Sequence, residues 1–340
     1  MGKGADVGNL AASTLFVLGV ALSLSASWVL VARIERVGRR FGISDALLGL
    51  LAALAGDGPE LTSAVTALVH HQRLVGAGVV LGSNVFNLAA LLGLGAVVAG
   101  SVVLHRSVVE LSGAVALAVG LVCLLSVVGA LQAATALVLS AAIVLPYGYV
   151  LGAGAPRLRR PPLPGPVGRW LGRAVAEEDA EAQEGFHLPR HGRRDVPVAA
   201  LALAVVVIAS VEMERAASVL GRRLAVPDIV LGGIVLAAVT SVPNAVAAVY
   251  LARRRRGTAV LSTALNSNTV NALAGFLLPA AVVGTVRSGQ GSFVAAWYAG
   301  LTAASLALAW GHRGIRRGWG AGIICAYAVF VASLALVSSR

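Results

Sequence analysis

The chain has 340 residues, of which 58% are hydrophobic and 12% charged, and its mean hydropathy is +0.85. A soluble domain averages about 45–50% apolar and about 25% charged, so this composition excludes one and points to a membrane protein. The net charge of +12 does not indicate nucleic-acid binding, because the basic residues sit between apolar runs and not along one soluble face.

A helix needs about 20 apolar residues to cross the hydrocarbon of a bilayer. Ten runs qualify as expected spans: Leu10–Val31, Asp45–Val69, Leu74–Ala99, Val108–Val128, Ala130–Leu151, Pro197–Val211, Asp228–Leu251, Thr258–Val283, Phe293–Trp310 and Trp319–Val337. The first follows a short segment with Lys3 and no convincing cleavage site, so it reads as a transmembrane helix and not as a removed leader. The sixth is short before Glu212 unless it continues to about Leu220.

The second run carries Ala55-Gly56-Asp57-Gly58-Pro59-Glu60 in its middle. Two glycines and a proline break a helix there, and the freed backbone groups need partners in lipid. A charge at the bilayer centre costs about 2.5–3.5 kcal/mol on insertion scales, so two carboxylates at one break indicate a function. Asp57 suits two roles, as an ion ligand or as the N-cap of the second half-helix. Glu60 reads as a ligand. The third run contains Gly82-Ser83-Asn84-Val85-Phe86-Asn87, in which Ser83 and Asn87 stand one helical turn apart. His70, His71 and His105 end spans 2 and 3 and read as interfacial. Cys123 and Cys325 lie inside apolar runs and form neither a disulfide framework nor a metal-binding pattern.

Residues 155–196 interrupt the hydrophobic pattern. They begin with Arg159-Arg160-Pro161-Pro162 and continue with Glu177, Glu178, Asp179, Glu181 and Glu184. This composition suggests a mostly disordered cytoplasmic linker, with a short surface helix near Val167–Ala182, between a first unit (1–154) and a second (197–340). In the second unit, Asp228 after Pro227 marks a helix start. Glu110, Glu212 and Glu214 near span ends either line an access path or face headgroups.

A shift of 184 residues matches one region of the first unit to one of the second without a gap. Pro59 falls on Pro243, and Leu81, Ser83, Asn84 and Asn87 fall on Leu265, Ser267, Asn268 and Asn271. The second break reads Val239-Thr240-Ser241-Val242-Pro243-Asn244 and holds hydroxyl and amide oxygens but no carboxylate. Five spans separate the copies, so equivalent spans run in opposite directions. The expected fold is an all-α membrane protein of about ten transmembrane helices in two inverted five-helix repeats. With both termini outside, twenty basic residues fall in cytoplasmic loops and seven on the opposite side, as the positive-inside rule requires. Arg253–Arg256 reads as topology signalling, with a lipid-headgroup patch as the alternative.

Neutral oxygens with one or two carboxylates suit hard cations such as Na+ or Ca2+, not soft metals. Simple interhelical hydrogen bonding by Ser and Asn is the competing explanation. At Pro59-Glu60, Gly82-Ser83-Asn84-Val85-Phe86-Asn87, Thr240-Ser241-Val242-Pro243, and Ser267-Asn268 with Asn271, the sequence resembles the cation/calcium exchanger superfamily, which includes the sodium/calcium exchangers. The resemblance implies alternating access, with Na+ or H+ moving against Ca2+ or another cation and with no cofactor. It implies ion ligation by Glu60, Ser83, Asn87, Thr240, Ser241, Ser267 and Asn271. The chain departs from the family pattern in three places. Asn244 stands where a second glutamate is usual, Gly56-Asp57 replaces the Thr-Ser of the first repeat, and Asn271 stands where some members carry Asp. The expectation is that Asp57 supplies the carboxylate missing at Asn244. The remaining readings are a monovalent or proton-coupled transporter of the same fold and a non-transporting sensor or scaffold. No motif of an intramembrane enzyme is present.

Overall fold

A computed structural model describes residues 2–41, 45–158, 165–183, 194–255, 257–285 and 287–339. The first half contains α1 (Gly2–Arg40), α2 (Asp45–Gly56), α3 (Gly58–Val69), α4 (Arg73–Asn87), α5 (Gly95–Ala99), β1 (Ser101–Val103), α6 (Arg106–Val127) and α7 (Ala133–Leu158). A helix α8 (Pro166–Gln183) follows. The second half contains α9 (Asp195–Arg223), α10 (Asp228–Val230), α11 (Ala237–Thr240), α12 (Val242–Arg253), α13 (Gly257–Val270), α14 (Leu278–Val283), α15 (Gly289–His312), β2 (Gly314–Arg316) and α16 (Arg317–Ser338). Wider π-helical turns at Leu88–Leu94, Leu231–Leu236 and Asn271–Leu277 join α4 to α5, α10 to α11 and α13 to α14. Among the described residues, the departure from an all-helical chain is a three-residue antiparallel pairing of β1 with β2.

Seven helical stretches among the described residues are long and apolar enough to cross a membrane, and an eighth is the bent pair Asp228–Thr240 and Val242–Arg253. The expected spans that miss this test are interrupted or polar. Asp45–Val69 is split at Asp57 into two twelve-residue helices, and Thr258–Val283 carries the Asn/Ser motif and a π-helical turn. The sixth span takes the longer of its two expected lengths, α9 running unbroken from Asp195 to Arg223. Its acidic residues are absorbed locally: Glu212 pairs with Arg215 one turn on at 3.0 Å, and Ser218 donates to Glu214. Within the linker, α8 coincides with the short helix expected near Val167–Ala182, and one of its faces is packed. Helix α8 lays Gly168, Leu171, Gly172 and Val175, a stripe at helical spacing, against α6 and α7. The segments 159–164 and 184–193, which include Arg159-Arg160-Pro161-Pro162 and Glu184, lie outside the described residues.

The 184-residue register extends to the backbone. Helices α3 and α12 begin at 58 and 242 and end at 69 and 253, and α7 and α16 begin at 133 and 317. The two breaks have nearly the same conformation, φ −79° and ψ 2° at Asp57 against φ −87° and ψ 2° at Ser241. Helix α4 is buried on every side, which places it at the centre of the bundle. Its glycines let the helices touch backbone to backbone: a Cβ on Gly82 would sit 2.2 Å from the carbonyl oxygen of Gly233. Gly82→Ala is therefore expected to lower the thermal midpoint in detergent by several degrees. Gly148→Ala, whose added methyl meets nothing within 4 Å, should leave the midpoint unchanged or raise it. Equal midpoints for the two variants would contradict this packing.

Helices α1 and α9 lie antiparallel beside this centre. Three contacts tie them along their length: Arg33 to Asp195 at 2.6 Å, Ser23 to Ser210 at 2.6 Å and Arg223 to Asn9 at 2.8 Å.

Candidate cation site

The site forms where the two breaks face each other. At the first, Pro59 lacks an N–H and sits in the first turn of α3. The carbonyl oxygens of Ala55 and Gly56 accept hydrogen bonds from Ser27 Oγ of α1, at 3.2 and 3.1 Å. Asp57 occupies the N-cap position of α3, yet its side chain makes no capping hydrogen bond. Its Oδ1 instead accepts from Asn244 Nδ2 and Ser267 Oγ, each at 2.9 Å. The carboxylate is thus aimed at the second half of the chain and not spent on its own helix.

Glu60 lies one turn further on. Its Oε1 accepts from Ser241 Oγ, and its Oε2 accepts from Asn271 Nδ2 at 2.5 Å. The contacts follow the repeat. Position 57 meets 244, and its counterpart 241 meets 60. Asn271 meets Glu60, and its counterpart Asn87 accepts from Asn244 Nδ2 at 3.3 Å. Asn87 Nδ2 also donates to Ser267 Oγ at 3.1 Å and to Asn268 Oδ1 at 3.2 Å.

These residues are all buried, and Asp57, Glu60, Ser83, Asn87, Ser241, Ser267 and Asn271 have no accessible surface. Among the described residues no lysine or arginine pairs with either carboxylate. Asp57 Oδ2 and Asn271 Oδ1 are buried without a hydrogen-bond partner. An unsatisfied polar group in hydrocarbon costs several kcal/mol. Both atoms can only accept, so the missing partner is a donor or a cation. Two carboxylates with no countercharge favour the cation.

Seven of the nine expected site residues are joined here by hydrogen bonds, and Ser83 is buried one turn before Asn87 on α4. Thr240 is buried beside them, but its hydroxyl donates to Leu236 O at 2.9 Å and Ala237 O at 3.3 Å within its own helix. Two contributions went unread in the sequence. Asn84 and Asn268 bond reciprocally, each side-chain amide donating to the other's backbone carbonyl, at 3.1 and 2.9 Å. Their place in the repeated motif was the available signal. Ser27 had none, since nothing near it in the chain marks its approach to the break. His70, His71 and His105 are exposed at helix ends, as expected. Glu110, Glu212 and Glu214 make no hydrogen bond to the cluster. Among the described residues no three His, Cys, Asp or Glu side chains group together.

The profile of the sodium/calcium exchanger protein family matches residues 11–153 and 196–336. CaxA of Alkalimonas amylolytica, named as an antiporter, is 36% identical over 89 residues. The inner membrane protein YrbG of Escherichia coli (strain K12) is 33% identical over 90 residues. Each match covers 26% of this chain and 28% of the relative's length. Among solved structures, the sodium-calcium exchanger NCX_Mj, soaked with 2.5 mM Na+ and 10 mM Sr2+, aligns with a TM-score of 0.62 and 19% identity, covering 96% of this chain and 99% of that one. The H+/Ca2+ exchanger CAX aligns with a TM-score of 0.68 and 13% identity, covering 96% and 86%. At these identities the two structures establish a shared fold alone.

Proposed function

The chain belongs to the sodium/calcium exchanger family, and from that membership we propose that it is a secondary active cation antiporter working by alternating access. Its long apolar helices and its family make it a multi-pass integral membrane protein. We take the interrupted helices as spans too, which gives ten in two inverted units (1–154 and 197–340), joined by a cytoplasmic linker (155–196), with both termini outside. The metal site comprises Asp57, Glu60, Ser83, Asn87, Thr240, Ser241, Asn244, Ser267 and Asn271, with Thr240 offering a lone pair and not its proton.

The observation that carries this reading is the pair of buried, uncompensated carboxylates surrounded by neutral oxygens from both halves. Two negative charges balance one divalent cation or two monovalent ones, and that equivalence is what an exchanger needs. Inorganic cations are the partners, and no cofactor is required. A second reading, transport of monovalent cations or protons alone, rests on the amides at Asn244 and Asn271, which leave the second half's share of the site without a carboxylate.

Reconstitution into proteoliposomes tests both. Ca2+ uptake driven by an outward Na+ or proton gradient is expected. Monovalent flux without Ca2+ uptake would select the second reading. Absence of flux under every gradient would overturn both in favour of a non-transporting sensor.

A further inference from the structure

The α6–α15 face carries a second polar constellation, whose hydrogen bonds and ring contact include none to the candidate cation site. Arg106 opens α6, and Glu110 stands one turn further on, on the same face. Trp310 lies in the last turn of α15, and Trp170 comes from α8. The indole nitrogens of Trp310 and Trp170 donate to Glu110 Oε1 and Oε2, at 3.1 and 3.0 Å. The Arg106 guanidinium lies 4.8 Å from the centre of the Trp310 ring. Neither Glu110 nor Arg106 makes an ion pair among the described residues. Trp310 engages both, so a negative and a positive group sit side by side without neutralising each other.

Below them, toward the middle of the bundle, an open groove of about 310 Å³ runs between the helices. Gly113, Ala114, Leu117, Ala303, Leu306 and Ala307 line it, and its wall is almost wholly apolar. Residues 110 to 117 span two turns, or about 10 Å along the helix. Ala114, Ala303 and Ala307 are exposed on the outer surface of the protein. In an integral membrane protein that surface meets acyl chains. Tryptophans with a polar tip and an apolar body belong at the headgroup level, which is where the ends of α6 and α15 put them.

We propose that Glu110, Arg106, Trp170, Trp310 and the groove beneath them form a binding site for a zwitterionic phospholipid with a primary ammonium headgroup. The ammonium donates to the Glu110 carboxylate, whose two oxygens keep free lone pairs after each accepts one indole N–H. The lipid phosphate meets Arg106, and one acyl chain fills the groove. An anionic headgroup would set its negative charge beside Glu110. A trimethylammonium headgroup has no N–H to donate to the carboxylate. Trp170 belongs to α8, so the headgroup is held jointly by the first half, the linker helix and the second half.

The test uses the full-length protein in detergent, stripped of lipid and offered equimolar phosphatidylethanolamine, phosphatidylglycerol and phosphatidylcholine of identical chains. Bound lipid is counted by native mass spectrometry. Phosphatidylethanolamine should be retained about fivefold over phosphatidylglycerol, as expected for one partly exposed ion pair. Glu110→Gln should abolish that preference. Ala303→Leu, which fills the groove from the lipid side, should reduce phosphatidylethanolamine retention while leaving the lipid-free thermal midpoint unchanged. Soluble phosphoethanolamine should fail to compete at equal concentration. Equal retention of the three lipids, a preference that survives Glu110→Gln, retention untouched by Ala303→Leu, or effective competition by phosphoethanolamine would each overturn the proposal.

Discussion

Asp57→Asn is expected to lower Ca2+ uptake by roughly a hundred- to a few-thousandfold, the effect of about 3–5 kcal/mol for removing one partner of a buried charge pair. Monovalent flux should persist at a reduced rate. The substitution keeps the size of the side chain and its contacts with Asn244 and Ser267, and removes one of the two negative charges. A divalent cation would then face Glu60 alone, while a monovalent one would still be balanced. The amide of Asn244 lies 2.9 Å from the Asp57 carboxylate, so the charge can be moved across that contact. Asn244→Glu in the Asp57→Asn background should recover uptake to within about tenfold of the parent, since the net charge of the site is restored at nearly the same point. If Asp57→Asn leaves Ca2+ uptake intact, Asp57 does not stand in for the carboxylate missing at position 244. Thermal midpoints of both variants separate a transport defect from misfolding.

Glu60→Gln should eliminate Ca2+ uptake and monovalent flux together. Glu60 is held by one residue from each motif of the second half, Ser241 on Oε1 and Asn271 on Oε2. Both of its carboxylate oxygens are thereby engaged, whereas Asp57 is held through Oδ1 alone. Gln offers one acceptor oxygen and an NH2 group in place of two acceptors, so the Asn271 amide or the Ser241 hydroxyl would face a donor. The loss combines a missing charge with a mismatched hydrogen bond, and it should exceed that of Asp57→Asn for every cation. Residual monovalent flux comparable to that of Asp57→Asn would show that the two carboxylates are interchangeable, contrary to the asymmetry drawn here.

The local parts of this site were legible in the chain. A helix break inside hydrocarbon needs Gly or Pro, and Gly56, Gly58 and Pro59 announce the first break as Pro243 announces the second. The Ser-Asn-x-x-Asn spacing places its oxygens on neighbouring turns whatever surrounds it. Other parts were not local. The two possible roles of Asp57 were equal on sequence, because an N-cap aspartate and an inward-facing one share the same neighbours in the chain. The distinction lies in Asn244 and Ser267, which are 187 and 210 residues away. The helix within the linker was legible, but the packing of its apolar stripe against α6 and α7 was not, because Pro-, Arg- and Glu-rich residues surround it.

By itself the sequence determined the membrane class, the 184-residue repeat, the positions of both breaks and the residue types that gather at them. Those properties follow from composition and from spacing along one helix. Only the tertiary structure decided the cross-pairing of position 57 with 244 and of 60 with 241, the support of the first break by Ser27, and the meeting of Glu110 with Trp170 and Trp310. The physical reason is the solvent. A helix in lipid is apolar on nearly every face, so hydrophobic periodicity no longer marks which side meets a neighbour. That choice is made by close packing, through contacts such as Gly82 on Gly233, between residues that the chain holds far apart.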